Sequence, residues 1–487
     1  MLLKKLIENV KIKEKLYFDD IEISSLEIDS RLCKDGSLYF AISGTQVDGH
    51  DFAVSAVKNG AKAIVCEREL AINVPQIIVD DTREAMSLIA ANYYLHPAKK
   101  LKMVGITGTN GKTSISYMLS AIAKKAKISC GVIGTSGISV DNKKLDIKIL
   151  TSTTPDPIQL QQALAKMVEM GAKWCVMEVT AHALDLRKTA GIFFESAGFT
   201  NLTQDHLDYF GTMENYAGAK AKLFEKEKSA IASINIDDEF GEYLLKNASC
   251  KQQTYSCKNQ KADFFADNIE IGSNCSKFLL TFNKEKFNVK VNMTGLFNIS
   301  NALCSIAMAN ALGVDIKTCI MGIEDFVSVP GRFEAVDTGD KDISVIIDYA
   351  HSPDGIENVL KAINSFKKGK LICVFGCGGN RDSAKRPIMG KIAGELADEC
   401  VLTSDNPRFE KPNAIIDEIE VGIKETNCPY KKIADRREAI LQALKNASKN
   451  DVIAILGKGD EDYQEINGEK HHFSDRETVE ELLEEIL

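Results

Sequence analysis

The stretch Lys102-Met-Val-Gly-Ile-Thr-Gly-Thr-Asn-Gly-Lys-Thr-Ser114 reads as a buried strand running straight into a loop suited to phosphate. Met103, Val104 and Ile106 make a short apolar strand, and Gly108 and Gly111 let the backbone turn with its N–H groups inward. Thr109 and Asn110 lie between the glycines, Lys112 supplies a compact positive charge, and the hydroxyl of Thr113, followed by Ser114, suits Mg²⁺. Beyond the loop Ile115, Met118, Leu119 and Ile122 recur at helical spacing, so a helix opens with its positive end toward the phosphates. The common pattern G-x-x-x-x-G-K-[ST] asks for glycine where Ile106 stands, so the flanking strand and helix, not the letters alone, carry the reading. The competing reading is a strand-to-helix turn that happens to be rich in small residues.

Working outward, 487 residues are too many for one core and imply about three domains. A net charge of −9 argues against a nucleic-acid surface and leaves room for an anionic small ligand at one local site. The N-terminal MLLKKLIENVKIKEKL interleaves lysines with single apolar residues and lacks the apolar core of a signal peptide, and no run is long enough to enter a membrane. Thirteen cysteines without a CxxC pair point to thiols kept reduced in a cytoplasmic protein.

Residues 1–98 alternate short apolar runs with polar turns, as a small α/β domain does, with strands over 36–42, 63–66 and 76–80 and a helix from Asp81 that stops at His96-Pro97. Residues 99–330 form a central domain around the phosphate loop. There Lys173-Trp-Cys-Val-Met-Glu-Val179 is a buried strand whose Glu178 needs a cation or hydrogen bonds to compensate its charge. A strand over 197–202 leads into Thr203-Gln-Asp-His-Leu-Asp208, and a helix over 215–224 places Lys220 and Phe224 one turn apart. Residues 331–487 carry strands over 343–348, 370–375, 400–404 and 452–456 separated by helical patterns.

TGTNGKTS, the Glu178 strand, TNLTQDHLDYFGT, YAGAKAKLF, GLFNISNALCSI, GRFE and DYAHSPDG occur here in the order seen in the Mur ligases of peptidoglycan synthesis, which the chain resembles from Asp29 to Gln464. The resemblance implies three α/β domains: an N-terminal UDP-binding domain, a central P-loop ATPase and a C-terminal Rossmann-like domain. It implies amide bond formation driven by ATP: phosphoryl transfer makes an acyl phosphate of a carboxylate, and an amine then attacks it. Lys112, Glu178, His206 and Lys220 match the catalytic positions. Two Mg²⁺ ions are implied, one on Thr113 and Glu178 and one on His206 and on Lys220 carbamylated by CO₂, which turns an ammonium into an oxygen ligand. Asn298, Asn301, Arg332, Asp348 and His351 match the remaining nucleotide contacts.

The acceptor implied is UDP-N-acetylmuramoyl-L-Ala-D-Glu, engaged through Ser30, the loop 44–49, Ser152, Thr153, Thr154 and Thr180. Where the family usually reads Ser-Ser-His-x-Leu-x-Gln-x-Arg, this chain has Thr180-Ala-His-Ala-Leu-Asp-Leu-Arg-Lys188, so Arg187 or Lys188 has to supply the cation for an acidic peptide. The amine implied is meso-diaminopimelate, because Asp405-Asn406-Pro407-Arg408 accompanies its addition and Arg408 can clasp the extra carboxylate that L-lysine lacks. Arg381, Gly457 and Glu461 match the other contacts, with Asp460 where the family commonly has His. A monomer is expected. The alternatives are an L-lysine-adding relative, another Mur ligase, a folylpolyglutamate synthetase-like ligase, and an NTP-driven switch or binding module that uses the same loop without ligation.

Overall fold

The computed structural model describes residues 1–44, 47–147, 153–272, 275–339 and 341–486, and its strands fall mainly into three sheets, each on its own α/β body. In the first body the strands Ser25–Glu27, Ser37–Phe40, Ala61–Cys66 and Gln76–Val79 run parallel, and Ile12–Leu16 closes the edge antiparallel. The helix Thr82–Tyr93 starts at Asp81 because that carboxylate accepts the N–H groups of Arg83 and Glu84. It buries Met86, Ile89 and Ala90 against Phe40, Val65 and Ile77.

In the second body the strand Lys102–Thr107 sits at the centre of an eleven-stranded sheet, between Ser196–Phe199 and Trp174–Glu178, all parallel. Its loop, the end at Glu178 and the segment after Phe199 therefore open at the same edge, where open parallel sheets bind ligands. The helices Lys112–Lys125 and Leu296–Ala311 cover one face, and burial of Ile115, Met118, Leu119 and Ile122 against Ile299 and Leu303 fixes the phosphate loop's direction. The strands Ile231–Asn235, Lys251–Ser256, Phe264–Ile271, Ser276–Phe282 and Glu285–Val291 extend the sheet on that side, the last three antiparallel. None of these five is marked by the motif reading, although Ser276–Phe282 alternates buried and exposed residues as a half-buried strand should.

The third body has a six-stranded sheet in the order Glu334–Val336, Ser344–Asp348, Val452–Leu456, Leu371–Phe375, Glu399–Leu402, Tyr430–Lys432, parallel except for its first strand. Its functional loops leave the ends of these strands, and one buried ion pair holds two of them. Arg436 and Asp475 are fully buried and paired through two bonds of 2.7 Å, while Arg436 also donates to the carbonyls of Ser404 (3.3 Å) and Leu456 (3.1 Å). These carbonyls begin the Asp405–Arg408 and Gly457–Glu461 segments. Removing one partner strands the other charge, so Arg436→Met should lose about 3–5 kcal/mol of stability. A urea midpoint shift worth under about 1 kcal/mol would contradict that, and Arg436→Met with Asp475→Leu should recover most of the loss.

Candidate active site

At Gly108 (φ +147°) a Cβ would stand 1.7 Å from the hydroxyl of Thr200, and at Gly111 (φ +87°) 2.5 Å from Oδ1 of Asn301. Both positions therefore need glycine, and both neighbours belong to the site. Thr200 donates to the carbonyl of Asn110 (2.7 Å), Asn110 N–H to Asn201 Oδ1 (2.9 Å), and Thr109 N–H to the carbonyl of Asn201 (2.9 Å). Inside the loop Lys112 Nζ donates to the carbonyls of Gly108 (2.9 Å) and Thr109 (2.8 Å). Lys220 Nζ donates to the same Gly108 carbonyl at 2.9 Å and lies 4.3 Å from the ring centre of Tyr216. Burial first, then the charge of Lys112, pushes the Lys220 ammonium well below its ordinary pKa against the opposing pull of Asp205.

The Glu178 carboxylate is compensated by hydrogen bonds. Thr135 gives it a backbone N–H (3.0 Å) and a hydroxyl (3.2 Å), and its backbone carbonyl accepts from Thr154 (2.8 Å). Thr153 lies 3.2 Å from Thr135, and Thr180 3.3 Å from Thr154, hydroxyl to hydroxyl. His206 packs edge-on against His182, and its Nε2 stands 3.4 Å from Asp205. Burial pushes the Asp205 carboxyl up, but His206, His351, Lys385 and Lys112 together bring it down to about 2. Burial brings the imidazoles of His206 and His351 down to about 4. Among the described residues no three His, Cys, Asp or Glu side chains are placed to hold a metal by themselves. The donors offered, a Thr113 hydroxyl, Glu178 and His206, fit Mg²⁺ when nucleotide phosphates supply most of the oxygens, the mode this ion prefers.

A cleft of about 320 Å³ separates this loop from the third body, lined by Asn110, Gly111, Ser114, Asn298 and Asn301 on one side and Arg332, Asp348 and His351 on the other. Asn298 donates to the carbonyl of Thr294, while its buried Oδ1 has no partner among the described residues. Arg332 donates to the Thr113 hydroxyl (3.3 Å) and lies over the ring of Tyr349 at 4.2 Å, its buried Nε also without a partner there. Asp348 accepts the N–H groups of Phe333 (2.6 Å) and Ala350 (2.7 Å). Asn110 donates to Asp354 (2.7 Å) and Ser136 to Asp460 (2.9 Å), so the bodies touch directly and Asp460 is spent on that contact.

Across the third body Arg408, held at φ +51°, pairs with Glu465 (3.1 Å) and donates to the carbonyl of Gly379 (2.9 Å). Asp405 packs where a Cβ on Gly457 would reach it at 2.5 Å, and Asn406 donates to Glu461 at 2.8 Å. Pro407 lies between them and Arg381 is exposed. Glu461, expected to await a substrate ammonium, already has Lys458 3.3 Å away. Two further expectations meet competition. Lys188 is paired with Asp156 at 2.8 Å, and Arg187 is paired with Asp81 (3.0 Å) and Glu84 (2.7 Å) of the first body, so each cation is partly neutralised before any peptide arrives. Ser30 is buried in the first body's turn Ser30–Leu32, where its carbonyl accepts from Asn59, and Ser152 lies outside the described residues. Sequence reasoning missed Thr135, His182, Asp205, Lys385 and Lys458. Only Asp205 carried a signal, its place beside His206.

Family models match along the chain: the Mur ligase family, catalytic domain over residues 22–94, the Mur ligase middle domain over 106–309 and the Mur ligase, glutamate ligase domain over 331–459. A Clostridium botulinum protein named UDP-N-acetylmuramoyl-L-alanyl-D-glutamate–2,6-diaminopimelate ligase is 44% identical, with 96% of each chain covered. A solved structure of a ligase with that same name superposes with a TM-score of 0.70 at 30% identity, covering 100% of this chain and 99% of the other. A Mycobacterium tuberculosis folylpolyglutamate synthase, complexed with ADP and AMPPCP, shares the fold at a TM-score of 0.63 and 19% identity, over 77% of this chain and 92% of its own. With relatives matched along nearly its whole length and three bodies meeting at one phosphate loop, this chain belongs to the Mur ligase family.

Proposed function

We propose that this ligase joins meso-diaminopimelate to the D-Glu γ-carboxylate of UDP-N-acetylmuramoyl-L-Ala-D-Glu, using ATP and an acyl phosphate, as a monomer in the cytoplasm. The observation that carries the reading is the bond from Arg332 to Thr113, which makes the phosphate loop and the third body's loops one site. The name of the 44% identical relative supports the same substrates. The first body, taken as residues 1–98, binds the UDP-muramoyl end, residues 99–330 hold ATP, and residues 331–487 bring the amino acid.

A carboxylate is a poor electrophile, and both it and the γ-phosphoryl group are anionic, so catalysis has to come from cations and fixed N–H donors. Lys112, Arg332 and the loop amides face the phosphates. Mg²⁺, where bound, neutralises phosphate charge; Thr113, Glu178 and His206 would hold it. Burial favours the neutral amine of Lys220, the form that reacts with CO₂, and a carbamate there replaces a repelling cation with oxygen donors. Lys220→Ala should therefore cut ligation about a thousandfold with the fold intact by circular dichroism, and short carboxylic acids should restore part of it. Full activity of this variant without added acid would exclude the carbamate.

Arg408 has two of its donor groups engaged and an edge left for a carboxylate. Two charge-assisted hydrogen bonds support a preference for meso-diaminopimelate over L-lysine of about a hundredfold in kcat/KM. In Arg408→Ala the preference should shrink to within about threefold. Equal use of both amino acids by the wild type would sink the choice of amine. Phosphate release without the UDP-muramoyl dipeptide or without an amino acid would instead favour an NTP-driven switch.

A further inference from the structure

Lys458 is fully buried and begins a turn just past the strand Val452–Leu456, closed by the N–H of Glu461 on the Lys458 carbonyl at 3.0 Å. Its ammonium has three protons to donate and meets three acceptors: the carbonyl of Tyr463, Glu461 Oε2 (3.3 Å) and Asn406 Oδ1 (3.5 Å). Two of these are themselves fixed. Tyr463 begins the strand Tyr463–Ile466, and Asn406 Oδ1 also accepts the N–H of Glu465 at 2.9 Å. An ammonium withdrawn from water is costly unless its donors are used, so this side chain can stand in few other arrangements.

Asn406 Nδ2 donates to the same Glu461 Oε2 at 2.8 Å. Two donors therefore converge on one oxygen of Glu461, while Oε1 accepts no hydrogen bond from the described residues. A second carboxylate is close by: Asp405, 5% exposed, packs where a Cβ on Gly457 would meet it at 2.5 Å. Burial first, then the charge of Asp405, pushes the Glu461 carboxyl above its ordinary pKa, and Lys458 pulls it back. Without Lys458 only the neutral amide of Asn406 would orient Glu461, with a like charge beside it.

Resting on the ligase reading, in which Glu461 takes the distal ammonium of the amino acid, we propose that Lys458 is a positioning residue that holds Glu461 by Oε2 and so leaves Oε1 to that ammonium. Lys458 itself touches no substrate atom and transfers no proton. It acts on how well the amino acid is held. The distal ammonium lies away from the reacting amine, so its bond to Glu461 is worth the same before and during amide formation.

Lys458→Gln loses the charge and keeps a donor for the Tyr463 carbonyl, and Lys458→Met loses both. Each should raise KM for meso-diaminopimelate about thirtyfold with kcat within about threefold, and leave KM for ATP and for the UDP-muramoyl dipeptide within about twofold. Glu461→Gln should raise the same KM by a similar factor, and adding Lys458→Gln to it should cost no more than about a further threefold. That double variant removes both charges of the pair, so the comparison with Glu461→Gln stands even where a single Lys458 variant does not fold. Losses that multiply in the double variant, or a KM for ATP that rises as much as that for the amino acid, would show that Lys458 only supports the fold and would overturn the role. A wild type that ligates meso-diaminopimelate beside Lys458 variants of unchanged KM overturns this role alone. A wild type that ligates neither meso-diaminopimelate nor L-lysine overturns the ligase reading with it.

Discussion

Two lysine side chains donate to one carbonyl oxygen, that of Gly108, and the site is arranged around that crowding. Both nitrogens lie 2.9 Å from the same atom, so the two groups stand no more than about 6 Å apart, where unit charges repel by roughly 3 kcal/mol at an effective dielectric constant of about 20. The folded chain can relieve this by keeping Lys220 neutral, by converting it to a carbamate, or by taking up phosphate. Each route favours the loaded enzyme over the empty one. The neighbouring carboxylates do not quench the cluster: Glu178 is bonded to Thr135, and Asp205 is shared among Lys112, Lys385 and the imidazoles of His206 and His351. The surplus of positive charge is thereby preserved for anionic substrates.

The same surplus explains why the third body must dock. Arg332 reaches Thr113 across 219 positions of sequence, and its guanidinium lies over the ring of Tyr349. The contacts Asn110–Asp354 and Ser136–Asp460 are single hydrogen bonds, each contributing about 1 kcal/mol, which suits a contact that must open to admit substrates and release products.

Local order was legible in the sequence. The phosphate loop, its strand and its helix follow from apolar periodicity and two glycines, and Asp81 announces the helix it caps. Asn298, Asn301, Arg332, Asp348 and His351, which the motif resemblance assigns to the nucleotide, line one cleft. What the sequence hid is partnership. Nothing local indicates that Lys188 is already paired with Asp156 or that Arg187 ties the second body to the first. Lys385 looks like any lysine in a basic helix start until its burial is seen. Glu178 called for compensation, but whether by cation or hydrogen bond depended on Thr135, just past the end of the adjacent strand Cys130–Gly134.

The third body faces the opposite physical problem, since its loops need rigidity without spare charge. The Arg436–Asp475 pair is wholly buried and nearly self-contained, and its extra donors go to the carbonyls where the Asp405–Arg408 and Gly457–Glu461 segments begin. Those segments then satisfy each other: Asn406 holds Glu461, Gln464 donates to the carbonyl of Asp405 at 2.7 Å, and Glu465 accepts from Arg408. A substrate entering here meets groups already bonded and has to exchange with them, so binding is selective more than strong. An amino acid that lacks the second carboxylate gives Arg408 no new partner, while Glu461 keeps its pairing with Lys458. Discrimination then rests on Arg408 as the preformed network holds it, and on how many of these existing bonds an incoming ligand can replace.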